Sequence, residues 1–325
     1  MSILNVEFWA FVGVVAGIYT IFGAGIQVQL GFAGILNFGH VAFMAIGAYV
    51  MAILVVKEDM SLWLAGSIAV LFTGFSGLLL GLPALRLRGD FFAIVTVAFS
   101  VMVSYILVNQ PELTGGSIGS GALGGEGEVS LFDGQWIAFR NEVQHLLGGA
   151  HSALDSKDVA MLVIMWAIAI TLLTGLYFLL RSPWGRVIKA MRDDEDGVRA
   201  LGKNVFVYKL QALMLGSALA GIAGVLYALQ FAYFTPLDFE PLLTFYAYAI
   251  VIMGGTGRIW SVPLGALLFT TLYAGTRFLE FFPFSYLDST ERAYVRQMII
   301  GALLIGFILF RPQGIVGRRQ EAVLE

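Results

Sequence analysis

The sequence predicts an all-α polytopic membrane protein, with about nine transmembrane helices (eight to ten) packed as one transmembrane domain over residues 1–325. Three observations predict it. The chain carries too few charges to cover a water-facing surface. Its apolar runs are long enough to cross a bilayer. Its basic residues gather in a few connecting segments. Hydrophobic residues make up 58% of the chain and charged residues 13%, with a mean hydropathy of +0.84. A soluble chain usually carries about a quarter charged residues, so lipid must face much of this one.

A crossing needs about 20 mostly apolar residues. The candidate runs are 8–28, 41–56, 62–85, 91–108, 159–180, 210–234, 242–256, 260–279 and 294–310. Their interiors are almost free of Asp, Glu, Lys and Arg, each of which costs about 2.5–3.5 kcal/mol at mid-bilayer. The start, Met1-Ser2-Ile3-Leu4-Asn5-Val6-Glu7, lacks the basic region of a cleavable signal peptide, so the first run reads as a retained span. The glycine-rich stretch Gly31 to Gly39 reads as a break between half-helices or a re-entrant turn. Gly216, Ala220 and Gly224, and likewise Gly77 and Gly81, stand at the spacing that lets helix backbones approach closely in lipid.

Charge placement sets the orientation. The loop 181–209 holds Arg181, Arg186, Lys189, Arg192, Arg199, Lys203 and Lys209. Arg86 and Arg88 share another short loop, and the tail adds Arg311, Arg318 and Arg319. The positive-inside rule puts all three in the cytoplasm. Segment 110–157 has only Arg140 and Lys157 among its basic residues, against six acids, and is expected outside. This pattern fits an outside N-terminus and a cytoplasmic C-terminus. Within 110–157, Thr114 to Gly127 reads as irregular. Trp136, Phe139, Val143, Leu146 and Leu147 recur at helical spacing and predict an amphipathic helix lying on the membrane face or on the protein.

Two clusters carry candidate function. The first runs from Gly31 to Tyr49. Asn37 and His40 are polar groups in an apolar stretch, so they should face protein or a water-filled path. The neighbouring glycines permit the irregular backbone at which transporters bind solute. Gly34, Asn37, Gly39 and His40 are therefore candidates for the solute path; the competing reading is a packed helix break with satisfied side chains. No second ligand accompanies His40, and no metal site is expected.

The second cluster is Ser182 to Tyr208. Ser182-Pro183 reads as a turn and Trp184 to Met191 as helix. Asp193 or Asp194 can cap a second short helix that stops near Gly202. Such an ordered, mixed-charge loop offers a docking surface for a soluble partner; a merely solvated loop is the alternative. Gly197 to Asn204 imitates a phosphate-binding loop, but Asn204 has no magnesium-binding hydroxyl and no strand precedes it.

Absences narrow the function further. The net charge of −3 does not argue for nucleic acid. The lack of cysteine removes disulfides and thiolate metal sites. The span interiors offer little of the buried charge of ion-coupled carriers or of a catalytic constellation. A non-catalytic conduit driven by a partner fits best.

The stretch Gly31 to Tyr49 resembles the signature near the start of branched-chain amino acid ABC transporter permeases. Four further stretches match: Leu87 to Thr96, Leu113-Thr114-Gly115-Gly116, Met253 to Trp260, and Phe310 to Ile315. The Leu-Arg-Gly-Asp-Phe-Phe-Ala stretch and the Thr-Gly-Gly loop favour the LivM-type member of the permease pair. The loop 182–202 resembles the family's coupling segment, with Glu195, Ala200 and Gly202 at the recognisable positions beside Arg192. The resemblance implies an ABC importer permease fold in the cell inner membrane. It also implies four partners: a second, LivH-type permease, two ATP-binding cassette ATPases and an extracytoplasmic binding protein that delivers leucine, isoleucine or valine. ATP is then used by the partner subunits, and this chain binds no cofactor. A urea or short-amide importer, and a stand-alone secondary transporter or channel, remain alternatives.

Overall fold

A computed structural model describes residues 6–87, 89–123, 133–146, 157–275, 289–310 and 314–316. Arg88, Leu147, the end of the eighth apolar run at 276–279, the parts of segment 110–157 at 124–132 and 147–156, and the tail residues Arg311, Arg318 and Arg319 lie outside the described residues.

The apolar runs become helices nearly at their expected bounds. Helix α1, Val6–Ile26, continues as a π-helix, Gln27–Phe32, so one 26-residue apolar element spans Glu7–Phe32. After a break come α2, His40–Val56, α3, Leu62–Ala84, and α4, Gly89–Asn109. The short α5, Pro111–Thr114, leads into a 3-10 segment, Gly116–Ala122. Helix α6 is Asp133–Leu146 and α7 is Lys157–Arg181. The basic loop 181–209 forms α8, Pro183–Asp193, and α9, Glu195–Ala200. Then follow α10, Val205–Phe231, α11, Leu242–Gly254, α12, Val262–Gly275, and α13, Ser289–Phe310.

Five helices among the described residues are long and apolar enough to cross a membrane: Glu7–Phe32, α3, α4, Val159–Arg181 of α7, and α10. A sixth crossing arises if α11 and the Ile259–Ala274 helix, bent by 106° at their junction, act as one span. Part of the difference from about nine apolar runs has a geometric source. Helices α2 and α11 have 17 and 13 residues. At about 1.5 Å per residue they fall short of a hydrocarbon core about 30 Å thick. The ninth run, 294–310, lies within the 22-residue α13.

Burial separates inner from outer helices. In α1 and α10, 78% and 67% of the apolar window is buried, against 39% in α3 and α7 and 28% in α4. The centre is thus α1 and α10, with α2 packed on α10. The small-residue stripe of α10 permits this: a Cβ on Gly224 would stand 2.0 Å from the Met44 carbonyl of α2.

Two expectations for 110–157 sharpen. The described glycine-rich part forms two short helical turns, Pro111–Thr114 and Gly116–Ala122, interrupted by left-handed backbone at Gly115 and a kink at Gly119. Its backbone groups find partners across the fold, with Ser120 N donating to Phe234 O and Phe234 N to Ser120 Oγ, both at 2.9 Å. Helix α6 lies on the protein. Trp136 is buried, Phe139 and Val143 pack on the core, and Leu146 points away.

Candidate functional site: two helix breaks and the loop that grips them

The first break follows the π-helix. Ile35 N returns to Gln29 O at 2.8 Å, and Gly34 turns the chain at φ +68°. The polar side chains around this turn, Gln27, Gln29, Asn37 and His40, are buried and need partners inside the protein. Asn37 supplies two. Its Nδ2 donates to Gln29 Oε1 and its Oδ1 accepts from Gly39 N, both at 3.0 Å. Gln29 Nε2 in turn donates to Leu213 O of α10 at 3.2 Å. Phe38 N donates to Thr96 Oγ1 of α4, and Val41 N to Thr244 Oγ1 of α11, again at 3.0 Å. Gly39 sits directly against α4: a Cβ there would stand 2.0 Å from Thr96 O.

His40, the first residue of α2, faces back to α1. Its Nε2 lies 3.2 Å from Phe22 O, which requires the proton on Nε2, and its Nδ1 finds no acceptor or donor. Asn37, Gly39 and His40 are all sealed inside the chain. Of the four expected path residues only Gly34 is exposed. What the break turns outward is Gly34, Leu36 and part of Phe38, whose ring stacks on Phe245 of α11 at 5.4 Å.

The second break joins α11 to α12 through Gly255–Arg258. Ser261 Oγ donates toward Gly255 O and Arg258 O. Gln27 of the π-helix reaches the same two carbonyls, at 3.3 and 2.9 Å. The segment 314–316 closes over this break, with Ile315 N on Met253 O at 2.9 Å and Arg258 Nη1 on Val316 O at 2.9 Å.

The loop α8–α9 folds as its sequence suggests. Ser182 precedes Pro183 in the first turn of α8, and Asp194 caps α9 by accepting from Asp196 N and Gly197 N. Gly202 ends the segment at φ +75°. The false phosphate loop lies across α9, with no strand before it. Helix α8 is amphipathic: Gly185, Ile188 and Met191 are buried, and Trp184 Nε1 donates to Gln211 Oε1 of α10 at 2.8 Å. The four expected coupling residues divide. Arg192 donates through Nη1 to Gly31 O, with its Cγ 3.4 Å from where a Gly34 side chain would begin. Glu195 is held by Arg199 at 3.2 Å and by Lys209 of α10. Ala200 and Gly202 are exposed, and a Cβ on Gly202 would meet nothing within 4 Å. The loop therefore clasps the first break with Arg192 and the central helix α10 with Glu195, and presents Ala200 and Gly202 outward.

Sequence reading missed Gln27, Gln29, Thr96 and Thr244. Gln27-Val28-Gln29 did carry a signal, two amides at the end of an apolar run, but a scan for charged residues passes over it.

Residues 9–308 match the family described as branched-chain amino acid transport system / permease component. The high-affinity branched-chain amino acid transport system permease protein LivM of Escherichia coli (strain K12) is 33% identical over 305 residues, covering 92% of this chain and 68% of that protein. The probable branched-chain amino acid transport permease protein LivM of Methanocaldococcus jannaschii is 24% identical over 345 residues, covering 92% and 90%. The high-affinity branched-chain amino acid transport system permease protein LivH of Escherichia coli (strain K12) is 26% identical over 310 residues, covering 92% and 91%. No solved structure matches the chain.

Proposed function

The chain belongs to the branched-chain amino acid transport permease family as a LivM-type ABC importer subunit, and we propose that it carries leucine, isoleucine and valine inward together with a LivH-type permease. The substrates come from the names of the relatives. In this reading two ATPases dock on the cytoplasmic loops of the two permeases, one of them on α8–α9 of this chain, and a soluble binding protein delivers the amino acid from the side of α6. The chain spans the inner membrane as one domain over 1–325. In this reading 110–157 is external, and 181–209 and the C-terminus are cytoplasmic. It binds no cofactor itself.

One observation carries the mechanism: the coupling loop touches the helix break. Through Arg192 a displacement of α8 reaches Gly31 O directly, and through Glu195 and Lys209 the same loop pulls on α10. Push from a docked ATPase at Ala200 and Gly202 would thus arrive together at the two spanning helices with the most buried windows. Gly34, Leu36 and Phe38 then form this chain's share of the solute wall, while Asn37, Gly39 and His40 hold the wall in shape from behind.

Reconstitution tests the whole reading. Leucine uptake into vesicles should require both permeases, both ATPases, binding protein and ATP. Uptake by this chain without ATPases would replace the proposal with a stand-alone carrier. Uptake of urea in place of leucine would correct the substrate. Topology has a direct check because the chain has no cysteine. Leu146 and Leu201 are 81% and 80% exposed. An impermeant thiol reagent on intact cells should label Leu146→Cys and spare Leu201→Cys; the reverse pattern would overturn the orientation.

A further inference from the structure

A cavity of about 770 Å³ lies beneath α6, walled by α3 and α7 and floored by α10. Trp63, Gly66, Trp136, Phe139 and Ile164 line it, and its one hydroxyl, on Ser67, is already committed to Trp63 O at 2.8 Å. Helix α6 closes the cavity at the end of a span: Leu62 N, the first residue of α3, donates to Gln135 Oε1 at 2.8 Å. The start of an apolar span marks the level where hydrocarbon meets headgroups, and Trp63 and Trp136 stand there as interfacial tryptophans do.

Two polar groups at this level lack partners. Trp136 is 4% exposed and lines the cavity, yet its indole Nε1–H donates to nothing. Arg140, one helical turn further along α6, has a buried Nε without an acceptor. An indole N–H can only donate, and a guanidinium keeps its charge, so both call for an oxygen acceptor, and the second for an anionic one. An apolar slot at the membrane interface with one such donor in its lining and the other a helical turn along α6 matches one class of molecule.

We propose that this cavity holds one acyl chain of a membrane phospholipid, with Trp136 Nε1–H donating to an ester carbonyl and Arg140 to the phosphate. A helix of the second permease does not suit the slot. Such a helix, about 30 Å long and 10–12 Å across, displaces several times the cavity volume. The inference stands on this cavity alone and does not depend on what the protein transports.

The test is lipid retention by the purified permease complex in mild detergent, read by native mass spectrometry, followed by titration of delipidated complex with palmitoyl-oleoyl phosphatidylglycerol. Wild type should keep one phospholipid per chain. Arg140→Gln removes the anion partner, and Trp136→Phe keeps the ring while removing the donor. Gly66→Leu fills the slot from a position whose nearest neighbour, Val225 Cγ1, leaves 3.7 Å. Arg140→Gln and Gly66→Leu should each weaken phosphatidylglycerol binding by about tenfold or more, and Trp136→Phe by less. A bromine-labelled acyl chain should quench tryptophan fluorescence in wild type, a readout that needs no variant to fold. No retained lipid in wild type, no quenching, or equal affinity in Arg140→Gln and Gly66→Leu would each overturn the proposal. So would disulfide cross-linking of Ser67→Cys to a cysteine in the second permease, since a protein would then fill the slot.

Discussion

The two helix breaks are built from the same materials, glycine turns beside buried amides, but they are held differently. The Gly255–Arg258 break is mostly satisfied at home: Ser261, six and three residues along, reaches both of its free carbonyls. The Gly31–Gly39 break is satisfied by the rest of the protein. Its partners come from α4 through Thr96, α11 through Thr244, α10 through Leu213 O, and α8 through Arg192. A turn closed by local bonds can tolerate a loss, whereas a turn closed by four distant elements also reports on the position of each. The first break is therefore the place where contacts from the surrounding helices converge.

The comparison predicts unequal costs for matched substitutions. Asn37→Leu strands Gly39 N and Gln29 Oε1 in an apolar interior, at about 1–3 kcal/mol for each unmet group. Gln27→Leu leaves Ser261 between the two carbonyls it also served, and removes an amide oxygen, Gln27 Oε1, that has no partner to begin with. Thermal unfolding of the purified chain should show Asn37→Leu clearly destabilised and Gln27→Leu within about 1.5 kcal/mol of wild type. Equal losses would erase the distinction between the breaks. If Asn37→Leu were stable but transported nothing, Asn37 would move from the support of the wall to the wall itself.

How much of this was legible in the sequence follows from the range of each interaction. The runs, the amphipathic face of α6, the Asp194 cap and the stop at Gly202 are local patterns, and they can be read because periodicity and capping act within a few residues. The break itself was visible in the spacing of Gly31, Gly34 and Gly39. What was not visible is which way its residues face. Asn37 and His40 stand out as polar, but burial inside one chain and exposure to a solute path give the same composition. Only the partners decide, and Gln29 lies 8 residues from Asn37 while Arg192 lies 161 from Gly31. The short lengths of α2 and α11 were hidden for a related reason. An apolar run does not announce that it bends by 106° at its junction with the next one.

A smaller effect on the chain itself is expected from cutting the link between loop and break. Arg192→Ala removes a hydrogen bond from a charged donor to Gly31 O, worth about 1.5–3 kcal/mol at most. Arg192 is itself exposed, and water can replace part of it. Stability should fall less than in Asn37→Leu. The functional signature is separate: ATPases should remain bound, ATP hydrolysis should continue, and leucine uptake per ATP should drop. Wild-type coupling in Arg192→Ala would show that the contact only packs the loop, and the first break would lose its standing as a point of convergence.

The smallest structural effect belongs to the outer end of the loop. Gly202→Trp meets no neighbour within 4 Å, so its own cost is the positive φ, about 1–2 kcal/mol for a residue with a side chain. Membrane level should stay near normal. If Ala200 and Gly202 form the surface that an ATPase covers, a tryptophan there must hold the ATPase away, and its retention through purification should fall sharply. Glu195→Lys reaches the same surface by another route. It replaces the anion between Arg199 and Lys209 with a third cation, so α9 should detach from α10 rather than merely change its charge. The two variants are thus distinguishable. Gly202→Trp should lose ATPase retention with α9 in place. Glu195→Lys should lose it together with protection of α9 from limited proteolysis. Wild-type retention, stimulated hydrolysis and uptake in both would remove α9 from the coupling path and leave the break driven from some other contact.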